Sequence, residues 1–418
     1  MATIAALKIN DNEYAVKSFS NDMVALVDFE ELNLSNYVEF RNYLKRTELV
    51  KKYETEDDLL SYVLILTTEC NLACSYCYER NIKNKTTIQN TELLVEHIIN
   101  DIEISGIRRV EVEFTGGEPL LNIDKIKKIV EELSALSIVD FKFSIVTNGL
   151  LINKDILDFL EYYKFNVQIS LDGYSRDHNL LRVDKDKNPT FDIIIKNIIM
   201  LLNYTKSVLL SLRINLSALN HEKIHNVVYE LNEKIPSNLR KDIFVYCDYV
   251  DVENDNENFL KDDIIDNKIL YLYFLLEKYS YRIPENYISA GLCMIKNDNS
   301  IAFDPDGNII KCYSCVGDNN VKIGEVSSSE CCHYPYKPIL ALCDDINCPV
   351  QFYCSGGCAY KEYIKNNKLD IHCEMRRIML FNKALFILTL VSERIVEIEN
   401  FEGFKEAISN VEIFLFDW

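Results

Sequence analysis

No stretch of this sequence carries a Lys/Arg-rich stripe, and no apolar run approaches the length needed to cross a bilayer. The most apolar late stretch, Ile378 to Val391, is interrupted by Asn382 and Lys383. The start, Met1 to Lys8, lacks a basic segment followed by a sustained apolar one, so no export signal is expected and the chain is read as cytoplasmic. With 45 basic and 65 acidic residues the formal charge is −20, which makes nucleic acid and anionic membranes poor partners. What is plentiful is apolar character, 48% of 418 residues, enough for two or three domains with a sizeable core. Cysteine is plentiful too. Fourteen of them in a reducing compartment point to metal or redox chemistry rather than disulfides.

Along the chain the patterns predict an α/β protein in several parts. Residues 1–55 open with three short strands, Ile4 to Ile9, Glu13 to Phe19 and Met23 to Phe29, separated by turn-forming Asn, Asp and Ser. Tyr37, Phe40 and Leu44 predict a helix after them. This β-rich module is either a cap or a peptide-recognition element. From 56 to 285 strands and helices alternate. After Tyr62 to Leu66 come Val110 to Phe114, Phe141 to Val146, Val167 to Leu171, Val208 to Leu216 and Ile243 to Val250. Ile123, Ile126, Val130 and Leu133 mark one intervening helix; Ile224, Val228 and Leu231 mark another. Six βα units imply parallel strands with right-handed crossovers. Asp251 to Asp266 is read as an acidic loop before a helix at Lys268 to Tyr279. Residues 286–375 are cysteine-rich, and 376–418 are read as a C-terminal helix with Ile378, Phe381, Leu385 and Leu388 on one face.

The densest chemistry follows the first of the six strands. Cys70, Cys74 and Cys77 are spaced C-x3-C-x2-C, and the next cysteine is Cys247. Three thiolates without a local fourth hold a cubane iron–sulfur cluster with one open iron, or a zinc ion short of one ligand; spacing alone does not name the metal. Polar signals fall at later strand ends as well: Gly116-Gly117-Glu118-Pro119, Thr147-Asn148-Gly149 and Ser170-Leu171-Asp172-Gly173. Glycines permit close backbone approach, Glu118 can accept from an ammonium, and the planar fork of Arg182 suits a carboxylate, with Asn215 a weaker candidate. Cys247 is read as a buried core thiol.

The cysteine loop, with aromatic Tyr76 in its last spacer, resembles that of the radical S-adenosylmethionine (SAM) enzymes. That resemblance implies a partial (β/α)6 TIM-like barrel with its chemistry at the C-terminal strand ends. It also implies that Cys70, Cys74 and Cys77 hold a catalytic [4Fe-4S] cluster, whose open iron takes the SAM amino and carboxylate groups before reductive cleavage to a 5′-deoxyadenosyl radical. Gly116, Gly117 and Glu118 resemble the motif that binds the SAM amino group, and Ser170 resembles a ribose-side contact. Tyr76, Asn148, Arg182 and Asn215 complete the expected SAM surroundings.

Ten further cysteines crowd into residues 293–373, and their spacing resembles a SPASM domain, which carries two auxiliary clusters. By position Cys293, Cys312, Cys358 and Cys315 are assigned to the first, and Cys343, Cys348, Cys354 and Cys373 to the second, for three [4Fe-4S] clusters in all. The family run opens C-x2-C, whereas here Cys343-x4-Cys348 opens it; Cys331 and Cys332 are left over. Members with this layout modify peptides, so the implied partners are a precursor peptide and an external one-electron reductant of flavodoxin or ferredoxin type. Cysteine thioether crosslinking is the first expectation and formylglycine formation the rival. Sulfatase maturases carry an aspartate base directly after the cysteine of G-x4-C, and here Tyr313 stands there. A non-catalytic iron–sulfur or zinc scaffold is the reading from a different class.

Overall fold

The computed structural model describes residues 2–10, 13–18, 24–28, 58–77, 82, 86–250, 262–285, 294–295, 297–318, 322–327, 358 and 373–416. They fall into two compact units, one of residues 1–55, 284–296 and 335–418, the other of 56–283 and 297–334.

In the first unit β1 (Ala2–Asn10), β2 (Glu13–Ser18) and β3 (Val24–Asp28) form an antiparallel meander, placed close to the predicted segments. Ile4, Ala5, Ala6, Ala15 and Val16 supply its buried positions. The helix expected around Tyr37 to Leu44 lies outside the described residues.

The second unit is the barrel. Its parallel strands are β4 (Leu59–Thr67), β5 (Arg109–Gly116), β6 (Asp140–Thr147), β7 (Asn166–Leu171), β8 (Leu209–Leu216) and β9 (Ile243–Tyr249), side by side in chain order. Between them run α1 (Thr91–Ser105), α2 (Ile123–Ser134), α3 (Lys154–Tyr162), α4 (Ser175–Leu181), α5 (Phe191–Tyr204), α6 (Asn226–Lys234) and the short α7 (Ser237–Arg240). Sequential order with right-handed crossovers puts the connecting helices on one face of the sheet. The strands alternate accordingly: Val110, Val112 and Phe114 of β5 are buried, whereas Glu111, Glu113 and Thr115 are half-buried on the opposite, inner face. Helix starts are fixed locally; Asn90 accepts from the Leu93 N–H and Asn153 from the Ile156 N–H.

Several expectations change here. Helix α8 (Asp262–Lys278) begins six residues before Lys268, so the end of the expected acidic loop is helical; residues 251–261 lie outside the described set. The cysteine-rich segment contributes strands to the barrel sheet: β10 (Ser300–Phe303) pairs parallel with β4, and β11 (Asn308–Ile310) and β12 (Lys322–Glu325) continue antiparallel. Gly307, of the G-x4-C run, has φ +82° in the β10–β11 turn, where Asp304 accepts from the Asp306 and Asn308 N–H groups. The expected single C-terminal helix is instead α9 (Met375–Ser392), α10 (Phe401–Ser409) and β13 (Glu412–Phe416), which pairs antiparallel with β1. The kink in pattern was visible: Ser392-Glu393-Arg394 ends the apolar face, and Asn400 caps α10 by accepting from the Gly403 N–H. Among the described residues no helix is long and apolar enough to cross a membrane.

Candidate active site

The loop after β4 is held on two sides. On one side Gly117 N–H donates to Thr67 O and Glu118 N–H to Glu69 O, both at 2.9 Å. A Cβ at Gly116 would stand 2.2 Å from Thr67 O and one at Gly117 2.2 Å from Glu69 O, so only glycine lets the two backbones meet. On the other side Ala73 N–H donates to Val183 O at 2.8 Å and Ser75 N–H to Leu181 O at 2.9 Å. The cysteine loop is therefore laced between the end of β5 and the segment that follows α4.

Cys70, Cys74 and Cys77 are half-buried thiols on that loop, none of them in a disulfide. Burial pushes Cys70 up to about 12, against the Leu72 N–H it accepts, and the nearby Glu118, Cys74 and Cys77 push it further. Burial also raises Cys74, which senses Cys77 as well as Arg182 and Asp172. The three thiols raise one another's ionisation cost, and a shared cationic centre would favour their thiolates, so the donor chemistry suits an iron–sulfur cluster, although among the described residues no three such side chains converge on a bare metal ion. Asn148 leans over the same loop, with Nδ2 2.7 Å from Asn71 Oδ1 and 3.8 Å from Cys70 Sγ.

A buried polar knot lies beside it. Asp172, at 0% exposure, accepts from Tyr76 OH at 2.7 and 2.8 Å, Arg182 Nε at 2.9 Å and Asn215 Nδ2 at 2.8 Å. Arg182 Nη2 also donates to Tyr76 OH at 2.6 Å. Burial opposes the Asp172 charge, but Arg182 chiefly, and then His178 and the hydrogen bonds, hold its carboxyl below the usual range. Burial and the facing carboxylate keep the Tyr76 phenol protonated despite Arg182. Arg182, expected to offer a fork to the SAM carboxylate, spends that fork on Asp172 and Tyr76. Asn215 keeps a buried Oδ1 without a partner.

Glu118 is fully buried, and its carboxylate accepts from Leu120 N–H at 3.0 Å, Thr147 OH at 2.7 Å and Asn148 N–H at 2.8 Å. It thus ties the β5 end to the β6 end. Ser170 is half-buried on the inner face. Cys247 is buried with its thiol pushed up by burial, as a core cysteine should be. The 3-10 turn Tyr313–Cys315 brings Cys312 and Cys315 together, and the Cys315 hydrogen bond holds Cys312 low against its burial. Cys358 is half-buried and Cys373 exposed in the other unit. Cys293, Cys343, Cys348, Cys354, Cys331 and Cys332 lie outside the described residues. Asp172 is the residue with the largest role that its sequence surroundings barely show; the one signal is an acid directly after a strand end, with an arginine ten residues on.

Comparison with known proteins agrees with the fold. Residues 64–228 match the Radical SAM superfamily model. A radical SAM cyclopropyl synthase, TigE, of Paramaledivibacter caminithermalis is 24% identical over 393 residues, 84% of this chain and 78% of that protein. A cysteine-type anaerobic sulfatase-maturating enzyme of Clostridium novyi is 31% identical over 145 residues, 33% of this chain and 39% of that enzyme. Among solved structures, anSMEcpe with bound AdoMet and Kp18Cys peptide superposes with a TM-score of 0.63 at 19% identity, covering 80% of this chain and 99% of that one. Streptococcus suis SuiB bound to precursor peptide SuiA gives 0.53 at 15% identity, covering 90% and 99%. At such identities the structural likeness speaks for the fold. Residues 64–228 are a Radical SAM domain, the domain of a superfamily of enzymes that work with S-adenosylmethionine and a [4Fe-4S] cluster.

Proposed function

We propose that the chain matures a ribosomally made precursor peptide, acting on a cysteine to form a thioether crosslink. When bound, the cluster at Cys70, Cys74 and Cys77 and its SAM supply one-electron reductive cleavage and hence hydrogen-atom abstraction from the peptide. The remaining cysteines, Cys293, Cys312, Cys315 and Cys358 with Cys343, Cys348, Cys354 and Cys373, would hold two auxiliary clusters, and a flavodoxin- or ferredoxin-type protein would deliver electrons. Two structural neighbours are peptide complexes, which supports a peptide as substrate here.

The observation that carries the choice of bond is Tyr313, directly after Cys312. Tyr313 is 42% exposed as a whole residue, yet desolvation around its phenol first, then the charges of Cys312, Glu113 and Asp248, raises it against Arg213; a phenol protonated at neutral pH is a poor base where sulfatase maturases carry an aspartate. A thiolate held at a metal centre needs no carboxylate at that position. Formylglycine formation is the second reading, and one observation favours it: Glu113 brings a carboxyl to the face that Tyr313 joins. Anaerobically reconstituted enzyme given its own cysteine peptide should yield a product lighter by two hydrogens whose thiol resists alkylation. A Cys-x-Pro-x-Arg sulfatase peptide should give no formyl product. Formyl product at a rate comparable to SAM cleavage overturns the thioether reading.

A further inference from the structure

The inner face of the barrel sheet carries charged and polar side chains where a closed barrel is filled with branched apolar ones. Most of these groups are matched. Lys142 Nζ lies 3.7 Å from Glu111 Oε1, Arg213 Nη2 2.9 Å from Asp248 Oδ2, and Tyr246 OH donates to Gln168 Oε1 at 2.6 Å. Glu113, on β5 between Val112 and Phe114, is not. Among the described residues it makes no hydrogen bond and no ion pair, yet its oxygens are not sealed away. A half-buried carboxyl with no partner from the chain and with its oxygens still accessible is placed to accept a proton or a ligand on this face.

The neighbourhood supplies the rest of a binding surface. Arg213, two residues before Asn215 on β8, has a buried Nε–H with no partner. Its cation is felt by Tyr246 and Tyr313, and both phenols also sense Glu113. Glu113 and Arg213 thus lie on the same inner face of the sheet, with Glu113 three residues before Gly116, which supports the cysteine loop together with Gly117. We propose that Glu113 is the group that takes the thiol proton of the peptide's reacting cysteine on this inner face. The assignment rests on the peptide-maturase reading and serves either bond. One proton moves. The S–H bond breaks, an O–H bond forms on Glu113, the electron pair stays on sulfur, and no oxidant or reductant takes part.

Burial, and then the like charge of Glu111, push the Glu113 carboxyl up to about 7. Lys142 is turned to Glu111, and Arg213 to Asp248, so no cation pairs with Glu113 to reverse this. A base near 7 faces a cysteine thiol of about 8.5, so transfer is only about thirtyfold uphill, against about ten-thousandfold for an ordinary glutamate.

The test uses reconstituted holoenzyme, Glu113→Gln and Glu113→Asp, with synthetic copies of the small cysteine-containing reading frames that neighbour the gene. The ratio of modified peptide to 5′-deoxyadenosine should fall about a hundredfold in Glu113→Gln and be partly restored in Glu113→Asp. The limb of that ratio near neutral pH should vanish in Glu113→Gln. Infrared difference spectra between acidic and basic samples should show a carboxyl titrating near 7 that the Gln variant lacks. If the unaltered enzyme turns over none of the peptides, the peptide reading falls and this assignment with it. Normal turnover with an unchanged ratio in Glu113→Gln, or a Glu113 carboxyl already ionised in mild acid, overturns the assignment alone.

Discussion

Arg182 Nε donates to Asp172 Oδ2 at 2.9 Å in a place where the aspartate side chain is 1% exposed and the arginine 11%. This pair, with Tyr76 between Cys74 and Cys77, joins the ends of β7 and α4 to the cysteine loop. Removing one partner of a buried pair strands the other charge, so Asp172→Asn should cost about 3–5 kcal/mol in denaturant unfolding. Asp172→Asn with Arg182→Gln should lose clearly less than the two singles summed. Strict additivity, with each single variant costing under about 1 kcal/mol, would show the knot to be incidental.

His178 makes the same knot pH-sensitive. Asp172 N–H donates to its Nδ1 at 3.2 Å, so Nε2 carries the proton toward Thr190 Oγ1 at 3.1 Å, and Thr190 OH donates to Arg182 O at 2.7 Å. Burial lowers His178 to about 4 despite Asp172, below its ordinary 6.5. The folded state binds fewer protons than the unfolded one, so this contribution is whole above 6.5 and is lost as pH falls toward 4, about 3 kcal/mol in all. Asp172, also depressed, acts only at lower pH, below its ordinary 3.8. His178→Gln should flatten the stability profile between 6.5 and 4; an unchanged slope places the titration elsewhere.

The barrel was legible because each strand and helix carries its own period: Val110, Val112 and Phe114 alternate, and Ile126, Val130 and Leu133 repeat by turns. The cysteine loop was legible because chemistry fixes its spacing. The knot was not. Tyr76, Asp172, Arg182 and Asn215 are scattered over the chain, and only the parallel register brings them together. The same holds for β10, four residues whose partner β4 lies far upstream, and for β13, whose partner β1 is at the other end of the chain. Short strands paired at long range leave no local trace beyond turn residues such as Gly307.

Gly117 gives a local test of how the loop is held. An alanine Cβ would meet Glu69 O at 2.2 Å, and backbone on both sides cannot swing away as a side chain would. Gly117→Ala should cost about 1–3 kcal/mol through overpacking and reduce iron retained at the cysteine loop. Gly403, within α10, is the control: its nearest neighbour is Asn400 Oδ1 at 3.6 Å. Gly403→Ala should gain about 0.5–1 kcal/mol and leave iron content as it was. Equal iron in both variants would mean that the close approach at Gly117 is dispensable.

Glu118 separates a ligand contact from a clamp. Its Oε1 accepts from both Leu120 N–H and Thr147 OH, and its Oε2 from Asn148 N–H. Burial raises this carboxyl, and the three hydrogen bonds oppose the rise, so its acceptor positions are already matched by donors of the chain. Glu118→Gln must turn an NH2 toward a donor. The less costly choice faces Asn148 N–H, losing one bond instead of two. That should cost about 1–3 kcal/mol and shift Asn148, whose side chain lies against Asn71 and Cys70. A clamp therefore predicts that SAM affinity and iron retention at the cysteine loop fall together in Glu118→Gln. Thr147→Val, which removes one donor and keeps the backbone, should lower both by a smaller step. A direct contact with the SAM ammonium predicts something else: affinity reduced about tenfold to a hundredfold with iron and unfolding midpoint unchanged. Isothermal titration with SAM and iron analysis on the same anaerobic samples decide between them. The full burial of Glu118 favours the clamp.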